Sequence, residues 1–261
     1  MDYKTKKFDL DWGDEDVVPE IIFPDTMFIF KRMGEVILEM ASPIDGERVL
    51  DVGCGRAIDA LQFAKNGALA IGLDPSSKMM LGAKSFLDDN SDGNVDLVRA
   101  IGEAMPFKNR SLDKIICKGA LDHFADMPKT MSDMAQALKP TGSAIIAIAN
   151  FDSLSCKIGR NWFPIVKKIY RQSGDRHPWQ PPEDHNYKFD CPILKSTVAN
   201  DFKVQKIKGM SLLWTAPYWG KILSLMPKWA SNGILKTLDG IASRLPSLSD
   251  VIIIKVAPKG S

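Results

Sequence analysis

Two glycines close the run Val49-Leu50-Asp51-Val52-Gly53-Cys54-Gly55, just after an acidic residue. Glycines placed this way let the backbone turn tightly and approach a bound molecule with no Cβ in between. A dinucleotide-binding loop would continue G-x-G-x-x-G, and here the third glycine position holds Ile58. Asp51 argues the same way: a carboxylate repels a pyrophosphate and suits a cationic or zwitterionic ligand. A second carboxylate, Asp74, ends the run Ile71-Gly72-Leu73-Asp74 before Pro75-Ser76. Its two acceptor oxygens suit a pair of ribose hydroxyls, and they equally suit capping of the helix that follows. Cys54 reads as a small filler beside the ligand, since no neighbouring base is available to activate it.

Further along, His123 in Ala120-Leu121-Asp122-His123-Phe124 is the candidate proton acceptor, because imidazole changes charge near neutral pH. Asn150 ends an apolar run and points toward the same cleft. His177 and His185 flank Glu183 and Asp184, but the prolines at 178, 181 and 182 exclude the helical i, i+4 geometry of an H-E-x-x-H site. No metal site is expected from this spacing.

These residues need elements to hold them. Apolar residues recur at three- and four-residue spacing from Met27 to Met40, which predicts an amphipathic helix stopped near Ser42-Pro43. Short apolar runs at 48–52, 68–74, 95–101, 112–118 and 143–150 then read as strands, with helices over 57–66, 76–87 and 129–138 between them. Strands spaced by helices predict a doubly wound parallel sheet, whose ligands sit at the carboxyl ends of the strands. After Asn150 the rhythm breaks into a segment rich in proline and tryptophan, and it resumes with a helix at 193–200, a strand at 202–208, an aromatic helical stretch at 214–245 and a strand at 251–256. The expected division is an arm or lid at 1–24, an α/β core at 25–150, a cap at 151–192, and a remainder at 193–261 carrying a helical insertion at 210–248.

Composition narrows the partners. With 261 residues, 45% hydrophobic and 25% charged, the chain can bury a sizeable core. Lys and Arg number 34 against 32 Asp and Glu, so a formal charge of +2 gives no electrostatic reason to expect nucleic acid. The four cysteines form no C-x-x-C pair, the first residues lead into an acidic stretch and not an apolar one, and no run of about 18 apolar residues exists. A reducing, cytoplasmic setting is expected. Within 210–248, large apolar residues such as Leu212, Trp214, Trp219, Ile222 and Trp229 interleave with Lys221, Lys228 and Lys236. That pattern suits a roof over a hydrophobic small molecule, or peripheral contact with a membrane surface.

The stretch from Arg48 to Asn150 resembles the class I S-adenosylmethionine-dependent methyltransferases, in particular the small-molecule enzymes related to the ubiquinone and menaquinone methyltransferases. The V-L-D-V-G-C-G loop is similar to their first motif, and Asp74 stands where their ribose-binding acid ends the second strand. Gly102-Glu103-Ala104-Met105-Pro106-Phe107 resembles the adenine-binding stretch, 111–117 and 120–124 their fourth strand and the segment after it, and Leu138-Lys139-Pro140-Thr141-Gly142-Ser143 their L-K-P-G-G turn with Thr for the first Gly.

The resemblance implies a Rossmann-like α/β fold with a seven-stranded, mostly parallel sheet, an antiparallel last strand and a helical, aromatic cap. It implies S-adenosylmethionine as cofactor, held by Asp51, Gly53, Cys54, Gly55, Asp74, Pro75, Met79, Gly102, Glu103, Ala104 and Lys118. His123 occupies the place of a recurrent histidine. Residues 183–190 resemble a stretch lying over the acceptor, which puts His185 and Tyr187 on the substrate side with Asn150. The acceptor implied is small and hydrophobic: quinone-like, isoprenoid or another lipid. A nicotinamide-dependent oxidoreductase and a cofactor-binding scaffold without turnover are the competing classes.

Overall fold

The computed structural model describes residues 10, 12–13, 22–90, 93–169, 185–214, 216 and 218–259. Most of the expected arm at 1–24 and part of the expected cap at 151–192, including His177, lie outside the described residues.

Helix α1 (Pro24–Ala41) opens with a proline at its first turn and Asp25 near its positive end, and it buries Ile29, Val36, Ile37 and Met40 on one face. Ser42 then turns left-handed and donates its N–H to the Leu38 carbonyl, closing the helix. The sheet follows with β1 (Arg48–Val52), β2 (Leu69–Asp74), β3 (Val95–Arg99), β4 (Leu112–Lys118) and β5 (Leu138–Ala149). Between these strands run α2 (Ile58–Lys65), α3 (Ser77–Asp88), a short 3-10 turn (Gly102–Ala104) and α4 (Met127–Ala137). Beyond β5 come α5 (Leu154–Ile169), α6 (Cys191–Val198), β6 (Phe202–Met210), α7 (Trp219–Ser224), α8 (Lys228–Ala242) and β7 (Val251–Pro258).

The strand order is β3-β2-β1-β4-β5-β7-β6, with β1 to β5 parallel and β7 antiparallel to both β5 and β6. The seven-stranded, mostly parallel sheet with a reversed last strand is as the sequence predicts. The chain leaves β1 toward β2 and β3 and returns on the other side as β4, so the strand order reverses beside β1 and a crevice opens at the carboxyl ends of β1 and β4.

Apolar layers cover both faces of the central strands. Ile115, Ile146, Ile252 and Ile254 join one core with Met131, Met134 and Leu194, while Ile116, Ile145 and Ile253 join the other with Ile29, Val36 and Ile37. Strands buried on both faces carry few polar side chains, which is why stretches such as Ala144–Ala149 and Val251–Ile254 read as continuous runs.

Several boundaries differ from expectation, and three have a clear physical cause. β3 stops at Arg99, because the chain turns into the 3-10 helix at Gly102. β5 starts at Leu138 rather than 143, since a register irregularity opposite Leu112 and Lys114 absorbs Pro140, and a Cβ on Gly142 would stand 2.8 Å from the Asp113 carbonyl oxygen. The single helical stretch at 214–245 is two helices, broken where Pro227 precedes α8.

Candidate active site

The loop after β1 is folded against the end of β2. Gly53 and Gly55 both take positive φ, 72° and 51°, which favours glycine. The N–H groups of Gly53 and Cys54 both donate to the Leu73 carbonyl, at 2.8 and 3.0 Å. A Cβ on Gly53 would lie 2.4 Å from the Cβ of Ala120, so the loop after β1 and the loop after β4 touch through a missing side chain. Cys54 lies against Gly72 of β2, where a Cβ would come within 2.9 Å of its sulfur. Burial, followed by the nearby charges of Asp51 and Asp74, pushes the Cys54 thiol well above its ordinary range, in keeping with a filler and not a nucleophile.

Asp74 is fully buried. Its Oδ2 accepts the Gly55 N–H at 3.0 Å and its Oδ1 accepts the Ser76 N–H at 2.9 Å. Desolvation raises its pKa, against the lowering effect of those two bonds. The local capping role therefore exists, and it holds the carboxylate at the mouth of the glycine loop. Ser76 accepts the Met79 N–H at 3.2 Å, capping α3, and donates its hydroxyl to the Trp12 carbonyl at 2.6 Å. Met79 is buried beside Gly55, and the Pro75 carbonyl accepts from Arg99 Nε at 3.0 Å.

Asp51 is buried next to Asp59, Lys118 and Asp74. Loss of water and then the charge of Asp59 push its carboxyl up to about 8, while Lys118, ion-paired to Asp59, pulls it down. A cationic group arriving beside Asp51 would favour its ionised form, so the residues present fit a ligand bearing an amino or sulfonium charge and not a pyrophosphate.

On the far side of the crevice, Gly102 is buried, with the Phe124 ring 3.0 Å and Thr130 3.1 Å from where its Cβ would be, and Ala104 is exposed. Glu103 is buried and accepts the Asp126 N–H at 3.0 Å, so it braces the segment that follows β4. That segment carries His123, and residues 185–187 dock directly on it. The Asp122 carbonyl accepts the N–H groups of Asn186 at 2.8 Å and Tyr187 at 3.2 Å, and Asn186 Nδ2 donates to the His123 carbonyl at 2.7 Å. The Tyr187 hydroxyl meets the Met127 N–H at 3.4 Å and the Ala125 carbonyl at 3.5 Å.

As a result the His123 and His185 rings meet edge to face at 4.5 Å between centroids. Trp12 stacks on His123 at 5.9 Å, and Phe151 stands edge-on to His185 at 5.9 Å. Between the histidines lies the buried Asp122, with Oδ2 2.8 Å from His185 Nδ1 and Oδ1 3.9 Å from His123 Nε2. The shorter approach is close enough for an ion pair but does not meet the direction a hydrogen bond requires.

Asn150 is not open to the crevice. It is buried, its Nδ2 donates to the carbonyls of Ser249 at 2.8 Å and Ser247 at 3.2 Å, and its Oδ1 accepts the Asp152 N–H at 3.0 Å. This corrects the expectation that its carboxamide faces an acceptor: the side chain pins the end of β5 to the turn before β7. Asp250 on that turn is equally committed, accepting from the Ser155 hydroxyl at 2.6 Å and the Trp214 N–H at 2.8 Å.

Sequence reasoning missed Asp122, Asp59 and Trp12. Asp122 was visible only as the neighbour of His123, and nothing local ties Trp12 to a histidine more than a hundred residues away.

Comparison with known proteins agrees with this geometry. Residues 50–146 match the methyltransferase domain family. Over 99 residues, 38% of the chain, it is 34% identical to the uncharacterized methyltransferase YcgJ of Bacillus subtilis, covering 39% of that protein. Over 183 residues, 68% of the chain, it is 27% identical to the human mitochondrial ubiquinone biosynthesis O-methyltransferase, covering 47% of it. The crystal structure of YcgJ superposes with a TM-score of 0.57 at 19% identity, over 88% of this chain and all of that one. Magnesium protoporphyrin IX methyltransferase of Synechocystis PCC 6803, solved with bound SAH, gives 0.59 at 14% identity, over 93% and 90%. At such identities the superpositions speak to the fold.

Sheet, glycine loop and strand-end acids together are those of a class I S-adenosylmethionine-dependent methyltransferase domain. Residues 50–146 carry that domain, and S-adenosylmethionine is its cofactor. The chain spans less than half the length of the two curated relatives named above.

Proposed function

We propose that this chain transfers a methyl group from S-adenosylmethionine to a small hydrophobic acceptor of the quinone-like, isoprenoid or lipid class. The observation that carries the reading is the contact of Gly53 with Ala120, which makes the cofactor loop and the His123 segment two walls of one crevice. When bound, the cofactor supplies a methyl group on a sulfonium, and in-line displacement then asks chiefly for alignment and removal of a proton. Asp74 and the Gly53–Gly55 loop hold the nucleoside end, Asp51 favours the cationic end, and Glu103 braces the segment bearing the acceptor-side groups. His123 and His185, part-exposed around Asp122, are the groups able to take a proton from an acceptor.

The apolar acceptor is supported by the surface beyond β5. Trp162 is 63% exposed, Leu225 88% and Trp229 79%, with Lys221 and Lys228 close in sequence, a composition that also suits contact with a lipid surface. Among the described residues no helix is long and apolar enough to cross a membrane. The sequence relatives include several ubiquinone biosynthesis O-methyltransferases.

Calorimetric titration with S-adenosylmethionine, its demethylated product and NAD tests the cofactor, with the first two expected to bind. Binding of NAD alone refutes the proposal. Transfer of labelled methyl to a panel of hydroxylated aromatics, quinols and isoprenoids tests the acceptor; cofactor binding with no transfer to any of them favours a scaffold.

A further inference from the structure

We infer that Asp122, His123 and His185 form a binding site for a divalent transition-metal ion of the Zn2+ class on the acceptor wall of the crevice. The inference goes beyond methyl transfer, and ion binding stands or falls without it. One ligand atom from each residue lies within 4.8 Å of the others. Bonds of ~2.0–2.2 Å from nitrogen and oxygen to such an ion place ligand atoms about 3 to 3.5 Å apart in tetrahedral or octahedral geometry. The observed separations, 2.8 Å from His185 Nδ1 to Asp122 Oδ2 and 3.9 Å from His123 Nε2 to Asp122 Oδ1, bracket that range. Small rotations of three side chains bring all of them onto one ion.

A second observation points to a ligand independently. Asp122 Oδ1 and His185 Nδ1 are both buried and, among the described residues, neither has a hydrogen-bond partner. Buried polar atoms nearly always find one, and a carboxylate oxygen and an imidazole nitrogen, each able to offer a lone pair, suit a shared cation. Two neutral imidazoles and one carboxylate, leaving coordination positions for water or substrate, are a donor set suited to zinc or iron(II).

The frame is rigid enough to hold them. Asn186 and Tyr187 lock the Asp122 carbonyl, Asn186 clamps the His123 carbonyl, and Trp12 and Phe151 pack against the two imidazole rings. His123 and His185 stand far apart in the chain, so the set has no sequence signature of its own. An ion held there would polarise an acceptor oxygen and lower the pKa of its hydroxyl, a proton-removal route that does not depend on either imidazole as base.

The test uses the full chain, stripped with a chelator and titrated with Co2+ under visible spectroscopy and with Zn2+ by calorimetry. One ion per chain at micromolar or tighter affinity is expected, with cobalt bands typical of nitrogen and oxygen ligands. Asp122→Asn, His123→Ala and His185→Ala should each weaken binding at least about tenfold, comparable to the loss when even an outer-shell partner is removed. Glu35→Gln, on the outer face of α1, should not. Circular dichroism shows whether each variant folds. For any that does not, histidine NMR of the wild-type chain decides, because Zn2+ should shift two of its three histidines. Absence of heat and cobalt bands, binding unchanged in folded variants, or no histidine shift each overturns the site.

Discussion

Gly53→Ala tests whether the two walls of the crevice touch where Gly53 meets Ala120. The residue holds a φ of 72°, and a left-handed placement costs an alanine roughly 1–2 kcal/mol. The new Cβ would stand 2.4 Å from the Ala120 Cβ, well inside the ~3.5–4.0 Å at which carbon atoms rest. Relieving that overlap means shifting a loop, an overpacking cost of about 1–3 kcal/mol. The sum, about 2–5 kcal/mol, is a large share of the ~5–15 kcal/mol that holds a typical domain. Because Ala120 lies two residues before Asp122, the shift also moves the segment carrying His123, and cofactor affinity should fall with stability. Ala120→Gly removes the opposing methyl, leaving the Ala120 Cα 3.9 Å away in ordinary contact. The double variant should therefore recover the overlap share and keep the backbone share. Urea unfolding and cofactor calorimetry on the four proteins of the cycle measure this. A coupling energy below about 0.5 kcal/mol would mean the sites are independent and the contact carries nothing.

Other outcomes follow from the same hydrogen bonds. Asp74→Ala leaves the Gly55 and Ser76 N–H groups without their acceptor, at about 1–3 kcal/mol each, and should abolish measurable cofactor binding. Asp74→Asn should fail as well, because its NH2 must face one N–H donor whichever way the amide turns; cofactor binding at wild-type strength in that variant would show that one acceptor oxygen is enough. Burial raises Asp250 from 3.8 to about 6 despite the hydrogen bonds it accepts, so the native state holds its proton more tightly than the unfolded chain. Its contribution to stability is complete below pH ~4 and is lost as pH rises through about 6, roughly 3 kcal/mol in all. Unfolding free energy measured against pH should show that fall, and Asp250→Asn should flatten it. Asn150→Ala should lower stability by about 1–3 kcal/mol yet leave the cofactor dissociation constant within twofold; a large loss of cofactor affinity in a folded variant would return Asn150 to the site.

The α/β core was legible in the sequence because its strands are buried on both faces. Runs such as Ala144–Ala149 and Val251–Ile254 then show as unbroken apolar segments, and Gly53, Gly55 and Asp74 sit where such strands end. The crevice wall carrying His123 was harder. Asp122, His123, His185 and Trp12 come from three distant parts of the chain and are joined by backbone bonds from 186 and 187, which no periodicity reports. Asn150 misled for a physical reason: the end of a parallel strand is both where ligands sit and where the chain must be anchored to cross over, and a carboxamide serves either purpose. Pro227 was visible, but apolar spacing continues across it, so one helix was expected where there are two.

The position of β7 also bears on how this chain comes to fold. It lies between β5 and β6, yet β6 precedes it in sequence. During synthesis β6 emerges before the strand it must pair with, and its edge stays open while α7 and α8 are made. Lys203, Lys206 and Lys208 line that ribbon, and lysines on a waiting edge discourage pairing with the wrong neighbour. Closing the sheet requires β7 to bond to both β5 and β6, a long-range step slower than forming the helices before it. The half of the sheet adjoining Asn150 and Asp250 is therefore the last to become rigid, and chaperone dependence or aggregation during expression should concentrate there.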